Sequence, residues 1–229
     1  MPRDERKRQK ALMKQRSKHK AAAQHKAHQQ ALTLSSPKAI LRQARSYPLY
    51  ECLISDNWNK KETSGLVEIL VARQQPDGDI CFGVYLIDTY CLGLKNTFAN
   101  TDFSPGRYIN DVRNRIFRAG KPVECPIELA HQMIYQSIEY AAQFGFEPEK
   151  DFALSQYLLV PRGELEEPYQ LTFGKDGKPF FISGPLDNVE RILRQLDKTA
   201  GPGNYDYLAM IGDNPFVDED EDEDDSDIF

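Results

Sequence analysis

Few residues in the middle of this 229-residue chain have side chains suited to chemistry. Cys91 follows Asp88 by three residues and precedes Lys95 by four. A thiolate nucleophile needs a base or cation beside it and some access to solvent. If the strand carrying Asp88 ends there, Asp88, Cys91 and Lys95 gather at its C-terminal end, with Lys95 as the binding cation. His131 is the one histidine outside the first thirty residues, and it lies on the apolar stripe of the strongest helical pattern. Packing that helix on the sheet would give a hydrolase centre of Cys91, His131 and Asp88. The competing explanation is plain packing, because free cysteine is among the most buried residue types. Asp88 and Glu139 offer a second option, a carboxylate pair for metal-assisted hydrolysis, but no H-x-x-x-H, D-x-D or E-x-K spacing supports it. The residues imply no metal ligand set and no cofactor. Gly174-Lys175-Asp176-Gly177-Lys178 is not a phosphate-binding loop, which needs G-x-x-x-x-G-K-S/T opening a helix, and Gly93 lacks the spaced glycines of a dinucleotide fingerprint.

The elements that must position these residues centre on the stretch 65–96. Two apolar runs, 66–73 and 80–91, flank Gln75-Pro76-Asp77-Gly78, which predicts a hairpin. Val67, Ile69 and Val71 share one face; Glu68, Leu70 and Ala72 share the other. The second run is apolar on both faces, as expected of an interior strand covered twice. Leu49–Ser55 reads as a further strand, followed by a loop holding Trp58. Ser36-Pro37 opens a short helix to Arg45, with Ser as N-cap and Pro in the first turn. Ser104-Pro105 opens another to about residue 118. Its arginines Arg107, Arg113, Arg115 and Arg118 read as an exposed charged face. Pro126 opens the strongest helix, striped by Ile127, His131, Ile134, Ile138 and Ala141 and closed by Gly145. A second helix over 149–159 would pair with it. Asp-Gly between Tyr169–Phe173 and Pro179–Ser183 predicts a second hairpin. Asp187 to Glu190 has the spacing of a capping box.

Charge is sharply segregated. Residues 1–30 carry ten Lys/Arg and two acids, a net of +8; residues 213–229 carry ten acids and no base, a net of −10. The stretch between them is at −4. The overall net of −6 therefore hides a dipolar chain. The first 35 residues read as a basic, partly helical or disordered arm, residues 36–212 as one domain, and 213–229 as a disordered acidic tail. Clustered Lys/Arg release counterions from phosphates. The arm, residues 3–26, is thus the candidate contact for RNA or another polyanion, through Arg6, Lys7, Arg8, Lys10, Lys14, Arg16, Lys18 and Lys20. The alternative is that the arm only solubilises the chain or pairs with the acidic tail. Cys52, Cys81, Cys91 and Cys125 show no C-x-x-C spacing, which predicts reduced thiols rather than a zinc knuckle or disulfide framework. The basic start lacks a following apolar run, and no segment approaches the roughly 18 apolar residues of a membrane span. A soluble cytoplasmic protein is expected.

Three runs, YLIDTYCLGLKN (85–96), LAHQMIYQSIEYAAQFGFEP (129–148) and FGKDGKPFFISGP (173–185), resemble a family of uncharacterised bacterial conserved proteins. The resemblance spans roughly 49–208. It implies that this region is one unit and implies no activity. The expected fold is α+β, a mostly antiparallel sheet of five or six strands with a helical pair packed on it. The expected function is binding of a macromolecular partner, RNA or a protein, with the Cys91–His131–Asp88 hydrolase as the alternative.

Overall fold

The computed structural model describes Lys18 and residues 36–60, 65–118 and 120–209. The fold is α+β. Five antiparallel strands run in the spatial order β4-β3-β2-β1-β5, from β1 (Leu49–Ser55), β2 (Leu66–Gln74), β3 (Ile80–Asp88), β4 (Gly93–Phe103) and β5 (Pro122–Glu124). The predicted hairpin is β2–β3, in unbroken register from Gln74↔Ile80 to Leu66↔Asp88. Its turn closes because Gly78 reaches a φ of 94° and donates to the Gln75 carbonyl, while the Asp77 carboxylate accepts from the Asp79 amide. Both strands are interior, so their side chains are buried on both faces. Val67, Ile69, Val71, Tyr85 and Ile87 enter one core; Leu70, Ala72, Phe82 and Val84 enter the other.

Helices cover the two faces unequally. The first core lies under α4 (Ile127–Ala142), with α1 (Pro37–Gln43) and a 3-10 turn at Gln156–Leu158 beside it. The Ser36 hydroxyl caps α1 by accepting from the Ala39 amide, as its sequence position predicts. The second core is closed by α2 (Pro105–Tyr108), a π-helical turn at Ile109–Arg113 and α3 (Asn114–Ile116). Here Tyr108 and Val112 press on Phe82 and Leu70, and the Tyr108 hydroxyl donates to Glu51 at 2.6 Å. Arg107 and Arg115 pair with Asp111, and Arg113 pairs with Glu51, so these arginines form a charged face balanced by carboxylates.

In α4 Ala130, Gln132, Ile134 and Ser137 are fully buried, with Ala141 at 2% exposure. Ile127 and Ile138 are only partly buried. Of the predicted stripe His131, Ile134 and Ala141 are buried, and burial spreads one residue round to Ala130 and Ser137. The reason is close approach: Gly93 (φ 65°) abuts the helix, and a Cβ there would lie 2.5 Å from the Ser137 carbonyl oxygen. Small residues win at that contact. At the C-terminus Gly145 (φ 75°) donates to Ala142 and Phe146 donates to Ala141, the bond pattern of a Schellman cap.

Three local expectations need correction. The helix predicted over 149–159 is one turn, α5 (Phe152–Ser155), continuing as the 3-10 turn at Gln156–Leu158. The segment instead places its carbonyls against buried donors. The Tyr85 hydroxyl reaches the Ser155 carbonyl at 2.8 Å and Arg73 Nε reaches the Leu158 carbonyl at 3.1 Å. The second hairpin forms its tip only. Asp176 (φ 51°) and Gly177 (φ 80°) make a two-residue turn with both φ positive, and Lys175 and Lys178 exchange hydrogen bonds across it. Beyond that the arms part. β6 (Phe180–Ile182) pairs in parallel with β7 (Asp206–Leu208), burying Phe181 in a small third core with Cys91 and Leu196. Finally, Asn188 rather than Asp187 caps α6 (Val189–Thr199), accepting from the Arg191 amide at 2.9 Å. Asp187 is held elsewhere, by Lys95.

Candidate functional site

The exit of β3 is built around one carboxylate. Asp88 is 3% exposed, and its Oδ1 accepts from the amides of Tyr90 and Cys91 at 2.9 and 3.0 Å. These bonds shape the turn that leads into Gly93 and β4. Burial pushes the Asp88 carboxyl up to about 6, against the opposing pull of the backbone amides and Lys95. Cys91 is fully buried against Phe181 and Leu196. Its thiol is raised far above the ordinary range, first by burial and then by the Asp88 charge. Lys95 turns away to an ion pair with Asp187 at 2.5 Å, and Asp187 also accepts from the Gly184 amide at 2.7 Å. Asp88, Cys91 and Lys95 do cluster, as the spacing suggested. The cluster serves to shape a turn: its sulfur is sealed from solvent and held protonated.

His131 is not part of that cluster. α4 meets the β3 exit through Ser137 and Ala141, at Gly93. His131 lies six to ten residues earlier, which at 1.5 Å per residue is about 9–15 Å along the axis. The imidazole is 2% exposed and its Nε2 has no hydrogen-bond partner among the described residues. Burial, then the Arg73 charge, hold it down to about 4. Arg73 itself is 8% exposed, spanning from the Leu158 carbonyl to the Tyr47 carbonyl at 3.1 and 3.0 Å. Glu139, the other carboxylate considered, pairs with Arg162 on the surface and does not join Asp88. Of the basic arm only Lys18 is described, helical and exposed; Arg6, Lys7, Arg8, Lys10, Lys14, Arg16 and Lys20 lie outside the described residues.

What the sequence did not reveal is a cleft of about 490 Å³ beside the β3 exit. One wall is the loop after β1, with Asn57, Trp58 and Lys60; the floor includes Thr89 and Tyr90; the other wall is the strap 170–176. The strap is positioned by three anchors. Gly174 donates to the Thr89 carbonyl at 2.9 Å, Phe180 donates to the Tyr90 carbonyl at 3.1 Å, and the Gln132 side chain bonds both the amide and carbonyl of Tyr169. The lining mixes an indole with amide, hydroxyl and ammonium groups. Asn57 donates to the Leu66 carbonyl at 3.1 Å, and its Oδ1 is without a hydrogen-bond partner among the described residues. Lys60 pairs with Asp56 at 3.1 Å, and Lys175 lies 4.5 Å from the centre of the Phe180 ring. The volume falls within the range usual for ligand pockets. The signal for it in the sequence was weak, because its walls come from segments more than one hundred residues apart.

Among the described residues no three or more His, Cys, Asp or Glu side chains come together in a metal-binding group, and no helix is long and apolar enough to cross a membrane. Compared with protein-family models, with curated proteins and with solved structures, the chain shows no significant match to any of them.

Proposed function

We propose that this protein is a cytoplasmic binding protein that contacts RNA through the basic arm, residues 3–26. The observation that carries this reading is charge segregation: +8 over residues 1–30 in a chain whose overall net is −6. Such an arm binds phosphates by releasing their counterions, so affinity falls steeply with salt. If about six of its cations engage a single strand, the logarithm of the affinity falls with the logarithm of salt at a slope of about −4. The cleft supports a contribution from the domain. Trp58 offers a stacking face and Asn57, Thr89 and Thr172 offer polar groups of the kind that hold an unpaired base. The acidic tail, −10 over residues 213–229, would compete with RNA for the arm.

The test is fluorescence anisotropy with a labelled single-stranded RNA across a salt series, alongside the DNA of the same sequence. The full chain is expected to show the steep slope, and a chain lacking residues 1–30 is expected to lose most of the affinity. Trp58→Ala should weaken binding without changing the slope, since stacking releases no ions. Binding that ignores salt, or that survives loss of the arm, would refute the reading; equal affinity for the DNA would reduce it to a general polyanion contact.

A further inference from the structure

Strand pairing brings together two cysteines that lie 73 residues apart. The β1–β5 ladder pairs Ser55 with Pro122, Ile54 with Val123 and Leu53 with Glu124. One more step sets Cys52 opposite Cys125, and the Cys125 amide donates to the Cys52 carbonyl at 3.0 Å. Their sulfurs are 3.5 Å apart and both are free thiols. Directly opposed residues at such a hydrogen-bonded position have Cα atoms about 5.5 Å apart. That lies inside the span of about 4.4–6.8 Å that disulfides bridge. We propose that Cys52 and Cys125 form a peroxide-reactive dithiol whose product is an intramolecular disulfide between neighbouring strands. The inference does not depend on RNA binding.

The two sulfurs are unequal in a way that suits the reaction. Cys52 is 4% exposed; Cys125 is partly exposed and is flanked by the exposed Glu124 and Pro126. The two thiols share one hydrogen bond in which either sulfur can donate, so it is the greater exposure of Cys125 that makes it the first to meet an oxidant. The Cys125 thiolate attacks one oxygen of a hydroperoxide, the O–O bond breaks, and hydroxide leaves to become water. Cys125 is then a sulfenic acid. The Cys52 sulfur attacks the Cys125 sulfur, the S–S bond forms, the S–O bond breaks, and the oxygen leaves with the Cys52 proton as a second water. Two thiols lose two electrons and the peroxide gains them. The sulfurs must close from 3.5 Å to about 2.05 Å, a shift shared between two side chains and the three-residue edge strand β5. Cys81 and Cys91 are fully buried free thiols, so they serve as internal controls.

The test exposes the reduced full-length chain to dilute hydrogen peroxide, then blocks remaining thiols with a maleimide under denaturing conditions and maps the peptides. The expected product has lost two hydrogens, carries the maleimide on Cys81 and Cys91 only, and returns to four reactive thiols with dithiothreitol. The double variant Cys81→Ser with Cys91→Ser should give the same cross-link. Cys52→Ser should stop at a Cys125 sulfenic acid that dimedone traps, and Cys125→Ser should form no intramolecular disulfide. The inference is overturned if the wild-type chain gains oxygens on Cys125 without losing the two hydrogens. It is equally overturned if Cys52 still takes the maleimide, or if the disulfide joins two chains. These deciding measurements are made on the wild type, so they stand even where a variant fails to fold.

Discussion

His131 should make the fold sensitive to acid, and the size of the effect follows from its surroundings. The imidazole is 2% exposed, its Nε2 is unpartnered among the described residues, and Arg73 is its charged neighbour. Protonation would therefore place a second positive charge in a buried site. The folded-state value falls to about 4 from the ordinary 6.5. For a group whose folded value is depressed, the folded state binds fewer protons than the unfolded chain. Its stability is complete above 6.5 and drains away as pH falls toward 4. A shift of this size is worth about 3 kcal/mol in full, and most of it is lost by about pH 4.5. His131→Leu removes the titrating group while keeping an apolar side chain under α4. The assay is urea unfolding of both chains at about pH 7.5 and about pH 4.5, read as the difference between them. Near neutrality the variant is expected to lie within about 1 kcal/mol of wild type, since losing an unpartnered nitrogen offsets imperfect packing. At about pH 4.5 it should have gained about 2–3 kcal/mol on wild type relative to the neutral comparison. If the two chains lose stability in parallel, the imidazole titrates normally and the account of its site is wrong.

Asp88 should act in the opposite sense, because its folded-state value is raised from 3.8 to about 6; the stabilisation is complete below 3.8 and is lost as pH rises through 6, amounting to about 3 kcal/mol. Asp88→Asn keeps an acceptor for the Tyr90 and Cys91 amides, so urea unfolding should show a gain over wild type at about pH 7.5 that shrinks toward zero as pH falls to 3.8. Gly65→Ala should cost about 3 kcal/mol by the same assay, since Gly65 has φ 74° and an added Cβ would sit 2.4 Å from the Tyr90 ring. Arg73→Met strands the Leu158 and Tyr47 carbonyls and should cost about 2–3 kcal/mol; a stability equal to wild type would show that water replaces the guanidinium. Removing residues 213–229 should raise RNA affinity and steepen its salt dependence, which the anisotropy titration reads directly.

The main lines of the fold could be read from the chain because they rest on local pattern. Alternating apolar residues and the Pro-Asp-Gly turn specify β2–β3; Pro126, a helical period and Gly145 specify α4; Ser36-Pro37 specifies the start of α1. Expectations failed where a distant partner outbid a local preference. Asp187 has capping spacing, yet an ion pair with Lys95, 92 residues away, takes its carboxylate. The arms flanking Asp176-Gly177 have hairpin character, yet Phe181 is drawn into the core under α6 and Tyr169 is clamped by Gln132. The sequence by itself determined β1, the β2–β3 hairpin, α1 and α4, the two-sided burial of β3 and the separation of charge, all of which depend on neighbours a few residues apart. Only the tertiary structure decided that Cys91 is sealed, that His131 sits beside Arg73 instead, that Trp58 lines a cleft, and that Cys52 faces Cys125. Each of those depends on how far one element slides along another, and that is set by packing contacts such as Gly93 against Ser137, which no local period encodes.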